Sequence, residues 1–291
     1  MKKLSLLAVL VCLPVSAQQD WSKVEVKTTK VAEGLFMLEG AGGNLGVATG
    51  PDGVLLVDDQ YAPLAPKIKS AIAALSDKPV KFLVNTHWHG DHTGGNQAFG
   101  EAGAVIVASE GVRKRMSVDT FLELMGRSVP AAPKVALPVV TFTETVTFHL
   151  NGEEIHVMHV PPAHTDGDSV VFFRKAGVVH TGDLFFNGFY PVIDVGVGGS
   201  IDGMIAAADR ILRVTNDKTK IIPGHGPLAT KADFKAFRDM LATVRDAIVP
   251  LVAKGMSAAD IVKATPTAAL DEKWGKGFMK PDTFVDVVAR D

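Results

Sequence analysis

Thr86-His87-Trp88-His89-Gly90-Asp91-His92 places three imidazoles and a carboxylate within six consecutive residues, and Thr93-Gly94-Gly95 follows at once. Core packing rarely needs such a density of ligating groups, so the stretch reads as metal-binding. Neutral imidazole and carboxylate suit zinc, and no thiolate stands among them. Val80-Lys81-Phe82-Leu83-Val84 immediately before it reads as a strand, so the cluster begins where a strand ends. His87 and His89, one residue apart, can turn both rings to one side and share an ion. Past Gly90 a chain reversal can carry Asp91 and His92 toward a second ion close by.

Working outward, residues 24 to 59 hold short apolar runs separated by glycine: Leu35 to Leu38, Leu45 to Ala48 and Val54 to Val57. They predict a strand meander. Ile68, Ala71, Ile72 and Leu75 fall at helical spacing, Ala104 to Val107 reads as a further strand, and a helix is expected from near Glu110. Residues 128 to 138 are rich in proline and alanine and read as a connection. Strands resume at Val139, with Asn151-Gly152 as a hairpin turn between Thr145 to Phe148 and Ile155 to Val157. Ser169 to Phe173, Val178 to Gly182 and Lys220 to Ile222 complete the strands. Ile201 to Val214 and Lys231 to Lys254 read as helices, the second able to break at Pro250, with two short helices after it. The order strands, helix, strand, helix occurs twice, in halves of roughly 21–135 and 136–291. It predicts an α/β fold of two mixed sheets packed face to face with helices outside.

One loop cannot close two metal sites, and the rest of the chain offers further donors. His164 lies in Pro161-Pro162-Ala163-His164, Asp183 in Thr181-Gly182-Asp183, and His225 in Pro223-Gly224-His225-Gly226, each beside a predicted strand end. His180, three residues before Asp183, is a candidate for orienting a ligand. His149, His156 and His159 fall in the predicted hairpin and read as surface or packing residues. Asn44, Trp88, Phe186 and Tyr190 are the candidates for a substrate pocket.

The ends and the composition narrow the setting. Lys2-Lys3, the apolar run Leu4 to Leu13 and Val15-Ser16-Ala17 match a secretory signal peptide over residues 1–17, leaving 18–291 as one domain in the periplasm or secreted. The run is shorter than the roughly 20 residues of a membrane span, which argues against a stable anchor. Cleavage would remove Cys12, the single cysteine, so neither a disulfide nor a thiolate ligand is expected. Loss of the two lysines takes the formal charge from −2 to −4, which with the absence of a basic segment argues against nucleic acid. A small molecule is the expected partner, and the sequence sets no oligomeric state.

Together, the cluster at 87 to 92, His164, Gly182-Asp183 and Gly224-His225-Gly226 resemble the metallo-β-lactamase fold superfamily over nearly the whole mature chain. That resemblance implies a four-layered αβ/βα sandwich. It implies two zinc ions, the first held by His87, His89 and His164, the second by Asp91, His92 and His225, with Asp183 bridging. Two zinc ions sharing a water would bring its pKa from about 16 toward 7 and supply a hydroxide, which Asp91 would orient. The implied activity is hydrolysis of an amide or ester-type bond in a small molecule, with β-lactam the first named substrate. Asp183 stands where some lactamases carry cysteine, and a bridging aspartate resembles glyoxalase II, so a thioester or lactone fits as well. A mononuclear iron persulfide dioxygenase uses a subset of the same ligands, making iron the alternative metal. A flavodiiron protein fits less well, since that pattern has glutamate where this chain has His89.

Overall fold

Three glycine-punctuated apolar runs of the N-terminal third form strands, each with a turn residue to reverse it, and the mostly polar segment Lys27–Ala32 adds an edge strand before them. In the computed structural model, which describes residues 19–291, they are β1 (Lys27–Ala32), β2 (Leu35–Glu39), β3 (Leu45–Ala48) and β4 (Val54–Val57), paired antiparallel in sequence order. β5 (Val80–Val84) and β6 (Val105–Ser109) add parallel to β4. The chain then makes a separate small hairpin, β7 (Thr120–Leu122) and β8 (Arg127–Val129), before β9 (Val140–Phe142) rejoins the first sheet beside β6. The second sheet runs β10 (Thr145–Leu150), β11 (Glu153–His159), β12 (Ser169–Phe173), β13 (Val178–His180), β14 (Lys220–Ile222) and β15 (Ala229–Thr230). It is antiparallel except for the β13–β14 pair. Asn151 and Gly152, at φ 55° and 71°, make the left-handed turn that joins β10 to β11.

Helices cover both outer faces. α1 (Ala65–Ala73), α2 (Gly90–Thr93), α3 (Asn96–Glu101) and α4 (Glu110–Met116) belong to the first half. α5 (Ile201–Val214), α6 (Lys231–Ala253), α7 (Ala258–Lys263), α8 (Ala268–Trp274) and α9 (Pro281–Arg290) belong to the second. Three apolar cores define four layers. Leu56, Ile68, Leu83 and Phe99 join the first sheet to α1 and α3. Leu55, Val84, Val157 and Val171 fill the space between the sheets. Met204, Phe234, Phe237 and Phe284 join the second sheet to α5, α6 and α9. This is the αβ/βα sandwich that the resemblance implies, and it agrees with the two sheets and outer helices that the sequence pattern predicts.

Four details depart from that pattern. α6 continues through Pro250, which stands near its C-terminal end, so only the last turn loses a backbone donor. The region expected as a plain connection contains the β7–β8 hairpin, whose three-residue strands are too short to show a period. Three helices rather than two close the chain, and the first sheet extends to Phe142, past the expected boundary of the halves. The expected signal segment lies outside the described residues. No described helix is long and apolar enough to cross a membrane.

Candidate metal centre

Four connections meet at one edge of the two sheets, and each carries part of the cluster. The segment after β5 bears His87, His89, Asp91 and His92; the segment between β11 and β12 bears His164; the turn after β13 bears Asp183; and the turn after β14 bears His225. These carriers are C-terminal ends of sheet strands, apart from the β11–β12 loop, so rigid scaffold places each donor. His87, His89, His164 and Asp183 each present one ligand atom within 4.8 Å of the others, and Asp91, His92 and His225 do the same. Asp183 stands between the groups. Its Oδ1 is 3.0 Å from His92 Nε2, and its Oδ2 is 3.4 Å from both His164 Nε2 and His225 Nε2.

The outward nitrogens are anchored, which settles where the inward ones point. His87 Nδ1 donates to Thr86 Oγ1, His164 Nδ1 to the Val192 carbonyl, His89 Nε2 to Asp194, and His92 Nδ1 to Asp58 Oδ2. A neutral imidazole has a single N–H, so the inward nitrogens of His87, His89 and His164 carry bare lone pairs, and those of His92 and His225 do so once a cation replaces their second proton. His89 Nδ1 and His164 Nε2 face each other at 2.9 Å, and His92 Nε2 and His225 Nε2 at 3.4 Å. His87 Nε2 is buried with no hydrogen-bond partner. Converging lone pairs repel unless a cation lies among them, so the donor set fits a pair of divalent ions of the borderline class.

The charges respond to this crowding. Burial pushes His87 well down and His164 down to about 4, which keeps both neutral and ready to ligate. For His92 burial acts in the same direction, but Asp183, Asp91 and Asp58 outweigh it and raise the group. His225 is likewise raised, to about 9, as Asp183 and Asp91 overcome burial. Burial would lift Asp91, yet His92 and His225 hold it down at about 2. Asp183 is also kept ionised, by His92, His225 and His87 against its burial. The opening to solvent is on the side of Asp91 and His225, whose side chains are each 23% exposed against 5% for Asp183.

Several groups that hold the centre carry no local signature in the sequence. Asp58 accepts from Thr86 N and Thr86 Oγ1, each at 2.7 Å, as well as from His92. It closes β4 at a left-handed φ of 59°, a conformation costly for a residue with a Cβ. An acidic pair ending a fully apolar strand, Asp58-Asp59, is the one cue the sequence offers. Asp194 lies in a loop between β13 and α5 with no such cue. Asp168 accepts from the backbone of His164 and Thr165 and from the Thr165 hydroxyl, tightening the turn that presents His164.

The residues expected to wall a substrate pocket are all buried, each with defined packing or hydrogen-bond partners. Asn44 is buried, and its Nδ2 donates to Pro223 O at 3.0 Å and Gly226 O at 2.8 Å, bracing the turn that carries His225. Its own carbonyl accepts from His180 Nε2, whose Nδ1 accepts from Gly182 N, so His180 ties this brace to the Asp183 turn. Gly43 must lack a side chain, since a Cβ there would lie 2.0 Å from His92 Cε1. Phe186 stacks on the His225 ring at 5.1 Å and is buried beneath it. Tyr190 is 1% exposed, donates to Asp271 and stacks on Phe284, in the core that joins the second sheet to α5, α6 and α9. Trp88 is packed against Ala108, Val112 and Leu122. His156 pairs with Thr147 and His159 with the Asp168 carbonyl, and His149 is exposed, so all three stand outside both groups.

The family model of the metallo-beta-lactamase superfamily matches residues 39–225, a span that contains all seven convergent residues. This chain belongs to the metallo-beta-lactamase superfamily. A hydroxyacylglutathione hydrolase of Pelagibacter ubique (strain HTCC1062) is 27% identical over 163 residues, covering 54% of this chain and 57% of that protein. The chain thus matches little more than half the length of that relative. Among solved structures, a sec-alkylsulfatase from Pseudomonas sp. superposes with a TM-score of 0.66 at 17% identity, covering 91% of this chain and 50% of that one. A metallo-beta-lactamase from Pontibacter korlensis gives a TM-score of 0.59 at 20% identity, covering 75% and 99%. At such identities the likeness is one of fold.

Proposed function

We propose that this superfamily member is an exported dinuclear zinc hydrolase that cleaves an amide or ester-type bond of a small molecule. What carries the reading is the convergence of five inward-facing imidazole nitrogens and two ionised carboxylates. His87, His89 and His164 would hold one ion, Asp91, His92 and His225 the other, and Asp183 would bridge them. When bound, the ions supply an acidified water and Lewis-acid polarisation of the scissile carbonyl. Asp91, ionised and on the open side, accepts a proton-bearing partner at Oδ2 and orients water toward the substrate carbon. Phe186 keeps the His225 ring fixed and excludes water from behind it.

β-Lactam is the first substrate to test, in keeping with export. A thioester of the kind named for the Pelagibacter relative is the second, favoured by the carboxylate of Asp183 between the two groups. Metal analysis of protein purified without added metal is expected to show near two zinc per chain. A hydrolysis screen over β-lactams, lactones, thioesters and phosphoesters then orders the substrates. One iron per chain with oxygen-dependent turnover of a persulfide would overturn the hydrolase reading.

A further inference from the structure

The β7–β8 hairpin packs on the metal-bearing segment by one of its faces. Leu122 is directly opposite Arg127, and Thr120 opposite Val129, so these four side chains share a face. Leu122 and Val129 pack in one cluster with Trp88, which stands between His87 and His89. Phe121, on the other face, is 55% exposed. Arg127 therefore projects from the face that meets the metal-bearing segment, nearer the hairpin tip than the packed residues, and is itself exposed. Glu123 lies elsewhere, against Gly196, where a Cβ would meet its Cγ and Cδ at 3.1 Å.

Tyr61 flanks the same segment at α2. Gln60 O accepts from Gly95 N at 3.1 Å, and a Cβ on Gly94 would lie 2.8 Å from both Gln60 O and Ala62 N. Residues 60 to 62 are thus packed on the end of α2, the helix that carries Asp91, and the Tyr61 ring is held by Trp21 at 5.1 Å. Burial pushes the Tyr61 phenol up to about 12, Asp91 and Asp183 add to the rise, and Arg127 opposes it. One phenol senses both carboxylates of the centre and the Arg127 guanidinium, so these groups surround one opening, on the side where Asp91 is exposed. Such a phenol stays protonated at neutral pH and is a donor. Among the described residues, neither its hydroxyl nor the Arg127 guanidinium has a hydrogen-bond or ion-pair partner. The planar fork of a guanidinium matches a carboxylate, and a single cation with Asp91 and Asp183 close by favours one negative charge over two. We infer that Arg127 and Tyr61 form the subsite for a carboxylate of the substrate, both donating to its oxygens while the scissile bond lies at the metal centre. The inference rests on the hydrolase reading above and adds to it a substrate class, small molecules bearing a carboxylate.

Mercaptoalkanoic acids with two to five methylenes, each paired with its primary amide, are suitable probes, because a thiol has affinity for zinc and the chain length varies the reach of the carboxylate. Calorimetric titration of the protein as purified, with metal content measured on the same sample, gives the ratio of amide to acid Kd. At the best length the acid is expected to bind roughly tenfold more tightly, a gain kept modest by solvent around an exposed arginine. Arg127→Ala should bring the ratio below about twofold, and Arg127→Lys should restore part of it. Tyr61→Phe, which keeps the ring against Trp21, should lower it by roughly threefold. Arg127 is exposed, so its replacement leaves the apolar cores intact. A ratio near one in the unmodified chain, or a tenfold ratio that survives Arg127→Ala, overturns the inference. So does the absence of saturable binding of every acid by protein holding two zinc per chain, which leaves the dinuclear reading standing. Acid binding that depends on Arg127 in protein without zinc supports the subsite and counts against the dinuclear reading, whereas protein with neither zinc nor acid binding overturns both.

Discussion

Asn44→Ala tests how the second group of ligands is assembled. The substitution removes the Nδ2 donor and leaves the Pro223 and Gly226 carbonyls without it, in the turn that presents His225. An unpaired buried carbonyl costs about 1–3 kcal/mol, and the Gly226 contact is only partly buried, so water recovers part of that loss. The backbone links survive: Asn44 N donates to Gly224 O at 2.7 Å, Gly43 N to Asp91 O at 3.0 Å, and Gln60 Nε2 to Gly43 O at 2.7 Å. The turn therefore loosens without leaving. A net loss of about 1.5–3 kcal/mol corresponds to roughly 10- to 100-fold in affinity for the ion held by Asp91, His92 and His225. The ion held by His87, His89 and His164 should change by less than about threefold, because no atom of Asn44 bonds to those residues. Competition against a chromophoric chelator resolves the two zinc-binding steps and reads both effects. Asn44→Asp, which points an acceptor at the same two carbonyls, should weaken the affected step further. Two unchanged steps in Asn44→Ala, or two steps that fall together, would refute the reasoning.

Other expectations follow from the same geometry. Asp183→Ala should lower stoichiometry from two zinc per chain to one, and elemental analysis showing two would count against a bridging carboxylate. Asp58→Asn keeps the size of the group that fixes His92 but removes its charge, so the affinity of the second step should fall on the order of 10- to 100-fold; an isotherm matching the unmodified chain would show that the Asp58 charge adds nothing to how His92 binds the ion. Chelation strips the ions from converging lone pairs, and at a zinc concentration 100 times Kd the lost stabilisation is about 2.7 kcal/mol for each ion removed, or on the order of 5–10 °C in Tm per ion. An apo-protein melting at the holo temperature would mean that the ions add nothing to folding.

Much of the fold was legible because its signals are local. Fully apolar runs such as Val54 to Val57 announce strands buried on both faces, and Asn151-Gly152 announces a left-handed turn by residue type alone. The donor residues were legible for a similar reason, since ligating side chains are few in kind and His87 to His92 concentrates them. Their supports were not, because a carboxylate that orients an imidazole needs only to reach it in space. Asp58 is 34 residues from His92, and Asp194 is 105 from His89. The surroundings of the pocket candidates were hidden for the same reason: an aromatic near a ligand in sequence can pack beneath it, as Phe186 does under His225, or away from it in a core, as Tyr190 does against Phe284.

The sequence by itself determined the chemistry on offer: which donors exist, that strands and helices alternate in two halves, and that a metal-dependent superfamily is at hand. Residue type and period are properties of the chain and survive without coordinates. Only the tertiary structure decided which nitrogen of each imidazole faces inward, that Asp183 stands between the two groups, and that Asn44 braces the turn carrying His225. Those outcomes depend on hydrogen bonds between residues tens to more than a hundred positions apart, which form only when the ends of the two sheets meet at one edge.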